Sequence, residues 1–347
     1  MACENENHIP KNESMILVTG GSGLVGSFLI TELLGRGLSV RALYREKIPV
    51  AAHPGRVEWV QADIRDVLAV RAALAGITHV FHCAGLVSYA PQDEEALLRV
   101  NVEGTANIVD ACLEQPGIRL GFVSSVAALG QVPAAQQQAP GPLLVDEQAK
   151  WDLGAEHNAY ATSKYLAELE VWRGVAEGLW AVMVNPAVIL GPGNWQRSST
   201  RLLRYAYQEH RFYTPSTMNL VDVRDVVAML AQLTLNTERS GERYVLSAGS
   251  LPLRELLTQV AACFGKRPPT VPVPGWAGEV VWRLEHVRAV LTGARPLITK
   301  ATARAGRRPL EYRADKIRRE LGQEFRPLPE TIRWCCEQLV ANEQLGG

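Results

Sequence analysis

The sequence lacks any apolar run close to the roughly 20 residues that a membrane-spanning helix needs, so we expect no integral membrane segment. It also lacks net charge, since Lys plus Arg and Asp plus Glu each number 36. Without an excess of either sign, electrostatics does not favour nucleic acid or an anionic membrane as the main partner. The 347 residues, 47% of them hydrophobic, suit one large α/β domain with an added lobe, or two modest domains.

Cysteine is scarce and its spacing carries no known pattern. The chain has no CxxC pair and no His partner at the spacing of zinc ligands; its cysteines are Cys3, Cys83, Cys112, Cys263, Cys335 and Cys336. We therefore expect reduced, mostly buried thiols in a cytoplasmic protein, and no metal site. Residues 1–14 are polar, contain no signal-peptide stretch and are predicted to be a flexible tail.

The first half alternates short apolar runs with helical patterns, as consecutive βαβ units do. The predicted strands are Met15–Thr19, Leu38–Leu43, Val57–Val60, His79–His82, Leu120–Ser124 and Trp180–Asn185. The predicted helices are Leu24–Gly35, Val67–Leu74, Glu94–Glu114 and Tyr160–Ala176. Parallel strands joined by helices predict an α/β protein with a Rossmann-type doubly wound parallel sheet.

The alternation breaks in the second half. Residues 131–154 are rich in Gln, Ala and Pro and are predicted to be an exposed loop. Later helices are expected at Val221–Leu235 and Leu253–Phe264, followed by a Pro-rich extended segment. We predict a dinucleotide-binding domain over residues 15–190 and a smaller substrate lobe over 191–347, interleaved with it.

The loop Thr19–Gly26 follows a strand and opens a helix, which is the context that a dinucleotide-binding glycine motif requires. Gly20 permits the tight turn, Gly23 lets the backbone approach a pyrophosphate, and Gly26 lets the helix pack closely on the strand. The free N–H groups at the helix start favour phosphate. A glycine-rich turn without a ligand is the alternative. The cofactor contacts predicted here are Gly20, Ser22, Gly23, Leu24, Val25 and Gly26.

Two further positions bear on the choice of dinucleotide. An acid after the second strand binds the ribose of NAD, whereas an Arg accommodates the 2′-phosphate of NADP. Tyr44 stands where the acid would be and Arg45 follows, which favours NADP over NAD, with a solvated surface Arg as the alternative. Asp63 can accept a hydrogen bond from the adenine amino group, or it can cap the next helix, a role also open to Asp66.

Tyr160 and Lys164 are spaced by four residues at the start of a predicted helix, so they share one face. A free phenol titrates near ~10 and is a poor acid–base catalyst at neutral pH, but a nearby ammonium favours the phenolate and would lower its pKa. Lys164 could also hold the nicotinamide ribose, and Ser125 could donate to a carbonyl oxygen. The three together predict carbonyl–alcohol chemistry, although a Tyr–Lys pair alone is common on protein surfaces.

The ordered motifs resemble those of the extended short-chain dehydrogenases/reductases, the superfamily of NAD-dependent epimerases and dehydratases. Besides the glycine loop they are Asp63-Ile64, His82–Gly85, Asn101–Thr105, Ser124-Ser125, Tyr160–Lys164 and Asn185–Pro192. The resemblance implies that Tyr160 is the acid–base catalyst, Lys164 its electrostatic partner and Ser125 the hydroxyl that orients the carbonyl.

The resemblance also implies further site residues. It places Asn101 near the active site, with helix packing or capping as the alternative role. The cofactor contacts that it implies are Ile64, Cys83, Ala84, Gly85, Tyr160, Lys164, Pro186 and Val188. Residues 83–85 could equally form a tight turn under the sheet.

Within the superfamily the chain is most similar to the reductase branch around dihydroflavonol 4-reductase and 3β-hydroxysteroid dehydrogenase. Arg45 matches the 2′-phosphate-binding Arg of the flavonol-type enzymes, whereas a further Lys of that group has no counterpart at Ala52. Val126 and Ala127 replace the Asp–Glu pair of sugar-nucleotide 4,6-dehydratases, which disfavours that activity. The missing acid after the second strand weakens the epimerase hypothesis without removing it.

Two segments are candidates for substrate contact. One follows Pro192 and carries Trp195, Arg197, Arg201, Arg204, Tyr205 and Tyr213, for which a solvated helix with aromatic packing is the alternative. The other is the apolar stripe of residues 276–291, which could contact substrate, pack between lobes or touch a membrane surface.

Three functions are consistent with the sequence. The leading hypothesis is reduction of a ketone or aldehyde, or the reverse oxidation of a small-molecule alcohol, with NADP preferred over NAD. The second is a nucleotide-sugar epimerase with bound NAD. The third is a cofactor-sensing regulator without turnover, which would not need Ser125, Tyr160 and Lys164 together. No nucleic-acid partner is expected, a homodimer is kept open, and the substrate is not identified.

Overall fold

The computed structural model describes residues 15–48, 53, 55–130, 141–193, 200–274 and 309–345, with side chains to residue 341. The predicted tail at 1–14, Ala52, Trp195, Arg197 and the apolar stripe at 276–291 lie outside the described residues.

The large sheet is built from strands joined mostly by helices, with shorter strands and further helices later in the chain. The strands are β1 (Met15–Thr19), β2 (Ser39–Tyr44), β3 (Val57–Gln61), β4 (Ile77–His82), β5 (Arg119–Val123), β6 (Leu143–Val145), β7 (Trp180–Pro186), β8 (Val188–Leu190), β9 (Phe212–Tyr213), β10 (Thr217–Asp222), β11 (Glu242–Leu246), β12 (Gly249–Pro252), β13 (Val271–Pro272) and β14 (Leu310–Tyr312). The helices are α1 (Leu24–Gly35), α2 (Val67–Ala73), α3 (Glu94–Leu97), α4 (Gly104–Leu113), α5 (Ala159–Ala176), α6 (Thr200–Tyr207), α7 (Val223–Asn236), α8 (Leu253–Cys263), α9 (Asp315–Leu321) and α10 (Leu328–Leu345).

The centre of the fold is a seven-stranded sheet in the order β3-β2-β1-β4-β5-β7-β11, parallel throughout. Successive side chains of a strand point to opposite faces. Ile16 and Val18 therefore pack with α1 and α7 on one face, while Leu17 packs with α2, α4 and α5 on the other. All three side chains are fully buried, because helices cover both faces. The predicted Rossmann-type doubly wound sheet is confirmed.

Beside the large sheet, the described residues form smaller sheets and a separate apolar cluster. The smaller sheets have the orders β12-β10-β8, β13-β9 and β14-β6. The cluster joins α6, α8 and α10 through buried side chains such as Leu203, Leu257 and Leu339. The chain beyond residue 190 also returns to the large sheet, because α7 packs on one face and β11 adds an edge strand beside β7.

Two sequence-based predictions of secondary structure were wrong: the start of α7 and the absence of a strand in the predicted loop. Val221 and Asp222, predicted to be helical, end β10, and α7 begins only at Val223 because the Asp222 carboxylate accepts the N–H of Arg224 at 2.8 Å as an N-cap. In the segment predicted to be a loop, Leu143–Val145 forms β6 and pairs in parallel with β14. That pairing joins residues far apart in sequence, so no local sequence pattern could predict it.

The cysteines of the described ranges, Cys83, Cys112, Cys263, Cys335 and Cys336, are free thiols. Among the described residues no group of three or more His, Cys, Asp or Glu side chains could hold a metal ion. None of the helices described is both long and apolar enough to cross a membrane.

Candidate active site

The glycine loop joins the carboxyl end of β1 to the start of α1. Gly20 has a φ of +67°, and a Cβ there would lie 2.7 Å from the backbone of Ala84, so a side chain is excluded on both counts. A Cβ on Gly26 would overlap the carbonyl oxygen of Gly20. Gly23 N–H donates to that same oxygen at 2.9 Å, which closes the turn. The sequence-predicted roles of Gly20 and Gly26 therefore have a steric basis.

The first turn of α1 is open to a ligand. Gly23 is its N-cap and supplies no side-chain hydrogen bond, and both Ser22 and Gly23 are exposed. Leu24 and Val25 follow as the first helical residues and are half-buried. Uncapped N–H groups at a helix N-terminus form a site for phosphate oxygens. The loop fits the pyrophosphate of a dinucleotide.

After β3, the structure distinguishes Asp63 from Asp66, either of which could have capped the next helix. Asp66 caps α2, accepting from the N–H groups of Leu68 at 3.0 Å and Ala69 at 3.1 Å. The Asp63 carboxylate binds the Arg65 guanidinium at 2.6 Å, and this contact lowers the pKa of Asp63 below its ordinary value. The capping alternative for Asp63 was wrong, and its contact with adenine stays a prediction.

Ile64 and Arg45 are neighbours of Asp63. The Ile64 side chain is buried against Gly104, where a Cβ would overlap it. Arg45 lies just beyond the carboxyl end of β2, with its side chain 61% exposed and paired to Glu46 at 2.7 Å. An exposed pair of this kind holds its Arg weakly, so the guanidinium is available to a phosphate. Tyr44 packs edge-on against Trp59 at 6.3 Å between ring centroids and presents no acid.

Ser125 and Tyr160 meet at the carboxyl edge of the sheet. Ser125 lies two residues beyond the end of β5. Tyr160 lies in the first turn of α5, and Asn158 caps this helix by accepting the Ala161 N–H at 2.8 Å. Tyr160 is only 9% exposed, and Ser125 is the neighbouring side chain that favours its phenolate. The structure brings together two groups that are 35 positions apart in the chain.

Lys164 lies one turn further along α5 and is 5% exposed. Its ammonium donates to the carbonyl of Val123 at 2.9 Å and lies 4.6 Å from the centroid of the Phe122 ring. Burial lowers the pKa of Lys164 to about 8, against an opposing effect of Glu168. A lysine of this kind changes protonation state close to neutral pH.

The expected lowering of the Tyr160 pKa was wrong for this geometry. Burial raises the pKa of Tyr160 to about 12, and the hydrogen bond from Ser125 only partly opposes it. Tyr89 adds to the rise, with its ring centroid 5.5 Å from that of Tyr160. Desolvation disfavours the phenolate more than the neighbouring donors favour it. The phenol is therefore held as a proton donor at neutral pH.

Asn101 lies 2% exposed in a π-helical turn, Leu98–Glu103, between α3 and α4. Its amide accepts from the Leu86 N–H at 2.7 Å and donates to the Leu86 carbonyl at 3.0 Å. It also donates to the Ser163 hydroxyl at 2.9 Å, which in turn donates to the Tyr160 carbonyl at 2.8 Å. Asn101 thus ties the segment after β4 to the first turn of α5.

The segment Cys83–Gly85 is packed against the glycine loop. The Ala84 N–H donates to the Thr19 hydroxyl at 3.1 Å, and a Cβ at Gly85 would lie 3.3 Å from the Asn101 amide oxygen. Burial raises the pKa of the Cys83 thiol to about 12, so it remains protonated. On the far side of Ser125, Pro186 ends β7 and Val188 begins β8. These predicted cofactor contacts all lie at one edge of the sheet.

Sequence reasoning missed a buried hydrogen-bond chain beneath the site. His82 hydrogen-bonds Thr19 through Nδ1 at 2.7 Å and Thr105 through Nε2 at 3.0 Å. Because the Thr105 hydroxyl gives its own proton to a carbonyl, Nε2 is the donor to Thr105, and Nδ1 of the neutral ring accepts from the Thr19 hydroxyl. The Thr105 hydroxyl donates to the Asn101 carbonyl at 2.5 Å. Burial lowers the pKa of His82 to about 3, so the ring stays neutral. The histidine of the His82–Gly85 motif was the available signal in the sequence.

The predicted substrate segment is only partly described. Tyr205 donates to the Phe212 carbonyl at 2.6 Å and stacks on His210 at 4.3 Å. Tyr213 lies under the Arg254 guanidinium at 5.9 Å. Arg201 and Arg204 lie on α6, exposed and half-buried respectively. Tyr205 thus has the aromatic packing that was the alternative, and substrate contact at these positions stays a prediction.

Comparisons with known proteins agree with this geometry. The model of the NAD-dependent epimerase/dehydratase family matches residues 16–247. A protein of Synechocystis sp. that carries the provisional name dihydroflavonol 4-reductase is 34% identical, over 91% of this chain and 92% of its own. Cinnamoyl-CoA reductase 2 of Arabidopsis thaliana is 28% identical, over 92% of this chain and 90% of its own.

Solved structures repeat the same architecture. The crystal structure of gox2253 has a TM-score of 0.78 and 29% identity, covering 97% of this chain and 99% of that one. UDP-glucose 4-epimerase of Thermotoga maritima has a TM-score of 0.76 at 17% identity, covering 95% of this chain and 99% of that one, which shows the fold alone. The chain belongs to the NAD-dependent epimerase/dehydratase family and is an NAD(P)-dependent oxidoreductase of the extended short-chain dehydrogenase/reductase type.

Proposed function

We propose that this oxidoreductase interconverts a carbonyl and an alcohol group of a small molecule by a Ser–Tyr–Lys mechanism. The observation that carries the proposal is that Ser125, Tyr160 and Lys164 converge at one edge of the sheet: Ser125 follows β5, Tyr160 and the buried Lys164 lie one turn apart on α5, and Lys164 binds the Val123 carbonyl of β5. Reduction adds hydride to the carbonyl carbon and a proton to its oxygen. Tyr160 donates that proton, and Ser125 donates the second hydrogen bond that orients the oxygen.

The chain's own residues fit a dinucleotide at this edge. The glycine loop would hold the pyrophosphate, Lys164 the nicotinamide ribose, and Arg45 the 2′-phosphate that distinguishes NADP from NAD. Bound there, the nicotinamide supplies or accepts the hydride. The exposed, weakly paired guanidinium of Arg45 supports a preference for NADP.

Arg45→Ala is expected to weaken NADPH binding roughly tenfold and to leave NADH binding nearly unchanged. A charge-assisted contact with phosphate is lost, and solvent exposure keeps the effect at the lower end for hydrogen bonds to charged groups. Fluorescence titration of both cofactors measures it, with Lys47→Ala as a matched loss of a nearby cation. Equal changes for NADPH and NADH would show that Arg45 does not bind the 2′-phosphate.

The rate of carbonyl reduction is expected to fall as pH rises through about 8. Lys164, whose pKa lies at about 8, is an ammonium below that pH and neutral above it, whereas Tyr160, at about 12, stays protonated throughout. Lys164→Met should lower kcat on the order of a hundredfold and abolish this alkaline fall. A kcat profile between pH 6 and 10 tests both statements; an unchanged fall in Lys164→Met would contradict the assignment.

The walls of the site favour an apolar substrate. Tyr89, 50% exposed, stands edge-on to Tyr160, and Val87, 56% exposed, precedes it in the same segment. Apolar surface left open beside a catalytic group suits an aromatic or aliphatic carbonyl compound better than a sugar. The names of the relatives, which include cinnamoyl-CoA reductases, point to the same class.

The function is tested by incubating the purified protein with NADPH and a panel of aromatic ketones, aldehydes and acyl-CoA thioesters, and separately with NAD and UDP-glucose. Consumption of NADPH with formation of an alcohol is the expected result, and an acyl-CoA thioester would give an aldehyde with release of free CoA. A product from UDP-glucose without net change in cofactor would establish the epimerase instead. Cofactor binding with no product from any substrate would support the regulator.

A further inference from the structure

A buried carboxylate lies behind the proposed catalytic residues, on the same face of α5. Glu168 follows Lys164 by four residues and is 1% exposed. A buried charge is costly unless partners compensate it. Sequence reasoning passed over Glu168, although its spacing from Lys164 was available as a signal.

The partners of Glu168 are the residues that hold Ser125. The Ser124 hydroxyl donates to Glu168 Oε1 at 2.5 Å, and the Asn185 amide donates to the same oxygen. The Asn185 amide also donates to the carbonyl of Ser125 at 3.0 Å. One carboxylate thus joins the ends of β5 and β7 to α5, with Ser125 between them.

The other carboxylate oxygen reaches the edge strand of the sheet. Arg243 in β11 donates to Glu168 Oε2 at 3.2 Å. The same guanidinium donates to the carbonyls of Glu147, at 2.7 Å, and Ala149, at 3.0 Å, in the segment that leads to α5. Arg243 therefore neutralises Glu168 and anchors the approach to the catalytic helix.

Glu168 is also the anionic neighbour of the Lys164 ammonium. From β5, Lys164 meets only the Val123 carbonyl and the Phe122 ring. From the end of β4 it faces His82 and Cys83, both neutral at physiological pH for the reasons given above. Among these groups Glu168 is the one that most opposes the effect of burial on Lys164, because its carboxylate raises the pKa of the ammonium.

We propose that Glu168 is a positioning residue of the Ser125–Tyr160–Lys164 site: its carboxylate holds Ser125 through two neighbours and keeps Lys164 cationic, balanced by Arg243. This proposal rests on the carbonyl–alcohol function proposed above. The geometry gives Glu168 two separable effects, one on the placement of Ser125 and one on the charge of Lys164.

Glu168→Gln tests both effects. It keeps the side-chain volume and removes the charge, so kcat should fall about ten- to a hundredfold, with a smaller change in KM. The alkaline fall in rate should move to lower pH by roughly one unit, because the ammonium loses its counter-charge. Glu170→Gln, which breaks a half-buried ion pair with Arg173 at 2.9 Å on the same helix, is the matched control and should change neither value.

Arg243→Met supplies the opposite perturbation. It leaves Glu168 with Lys164 as its remaining cationic neighbour, so the alkaline fall should move to higher pH or stay in place. A loss of kcat in both variants with shifts of the same sign, or with no shift in Glu168→Gln, would reduce Glu168 to a structural residue and overturn the proposal. An unchanged kcat in folded Glu168→Gln would overturn it as well.

The pH dependence of the free energy of unfolding tests the same coupling without any substrate. The Lys164 pKa of about 8 lies below the ordinary 10.5, so in this window the unfolded chain binds more protons at this group than the folded protein. This group therefore makes the free energy of unfolding rise with pH above about 8, and in Glu168→Gln its rise should begin at lower pH. Adding Lys164→Met should abolish the difference; its persistence would contradict the coupling.

Tyr160→Phe, run in the same assays, separates the two proposals. Full activity in that variant would reject the Ser–Tyr–Lys function itself. Loss of activity in Tyr160→Phe with a normal rate and pH profile in Glu168→Gln would reject only the role of Glu168.

Discussion

Replacing Tyr160 with phenylalanine is expected to lower kcat on the order of a thousandfold, while the affinity for NADPH stays close to unchanged. General acid–base catalysis typically contributes 10²–10⁴-fold, and the phenol oxygen is needed only when charge develops on the substrate oxygen. The ring should stay in place, because its edge-on contact with Tyr89 at 5.5 Å does not involve the hydroxyl. Single-turnover kinetics and a fluorescence titration measure the two quantities.

The matched control for this change is Tyr165→Phe on the same helix. The Tyr165 ring stacks on Trp151 at 4.3 Å between centroids, away from the catalytic pair, so its hydroxyl should be dispensable. A Tyr160→Phe enzyme that keeps more than about a tenth of the normal kcat would contradict the acid–base role, which normally supplies at least ~10²-fold.

Gly23→Asp is expected to weaken binding of either dinucleotide on the order of a hundredfold or more, with little loss of stability. A Cβ on Gly23 meets only the Gly20 carbonyl oxygen, at 3.2 Å, so the fold can accept it by a small adjustment. The added carboxylate would lie where the open first turn of α1 faces phosphate, and like charges brought together cost several kcal/mol. Fluorescence titration and thermal unfolding together test this prediction.

Two other glycines of α1 serve as controls. Gly35→Asp adds the same carboxylate at the end of the helix, where a Cβ meets nothing within 4 Å, and should leave cofactor binding unchanged. Gly26→Ala should instead destabilise the fold, because its Cβ overlaps the Gly20 carbonyl oxygen. If Gly23→Asp bound NADPH normally, the assignment of this loop to the pyrophosphate would be rejected.

The sequence by itself determined the local elements of the sheet domain. The predicted bounds of β1 and α1 agree with the structure, and the other early elements agree to within a few residues. These elements follow from hydrophobic periodicity and glycine placement, which are properties of neighbouring residues. The spacing of Tyr160 and Lys164 is likewise fixed by the helix between them, so their shared face could be predicted.

Tertiary structure alone decided what lies around those residues. The contact of Glu168 with Arg243, 75 positions apart, and the pairing of β6 with β14 join segments with no common local pattern. Burial also reversed the expected pKa of Tyr160, because desolvation of the phenolate outweighs the donors beside it. A short sequence window records which groups are adjacent along the chain, but the solvent excluded from a group, and the distant charges facing it, exist only once the chain has folded.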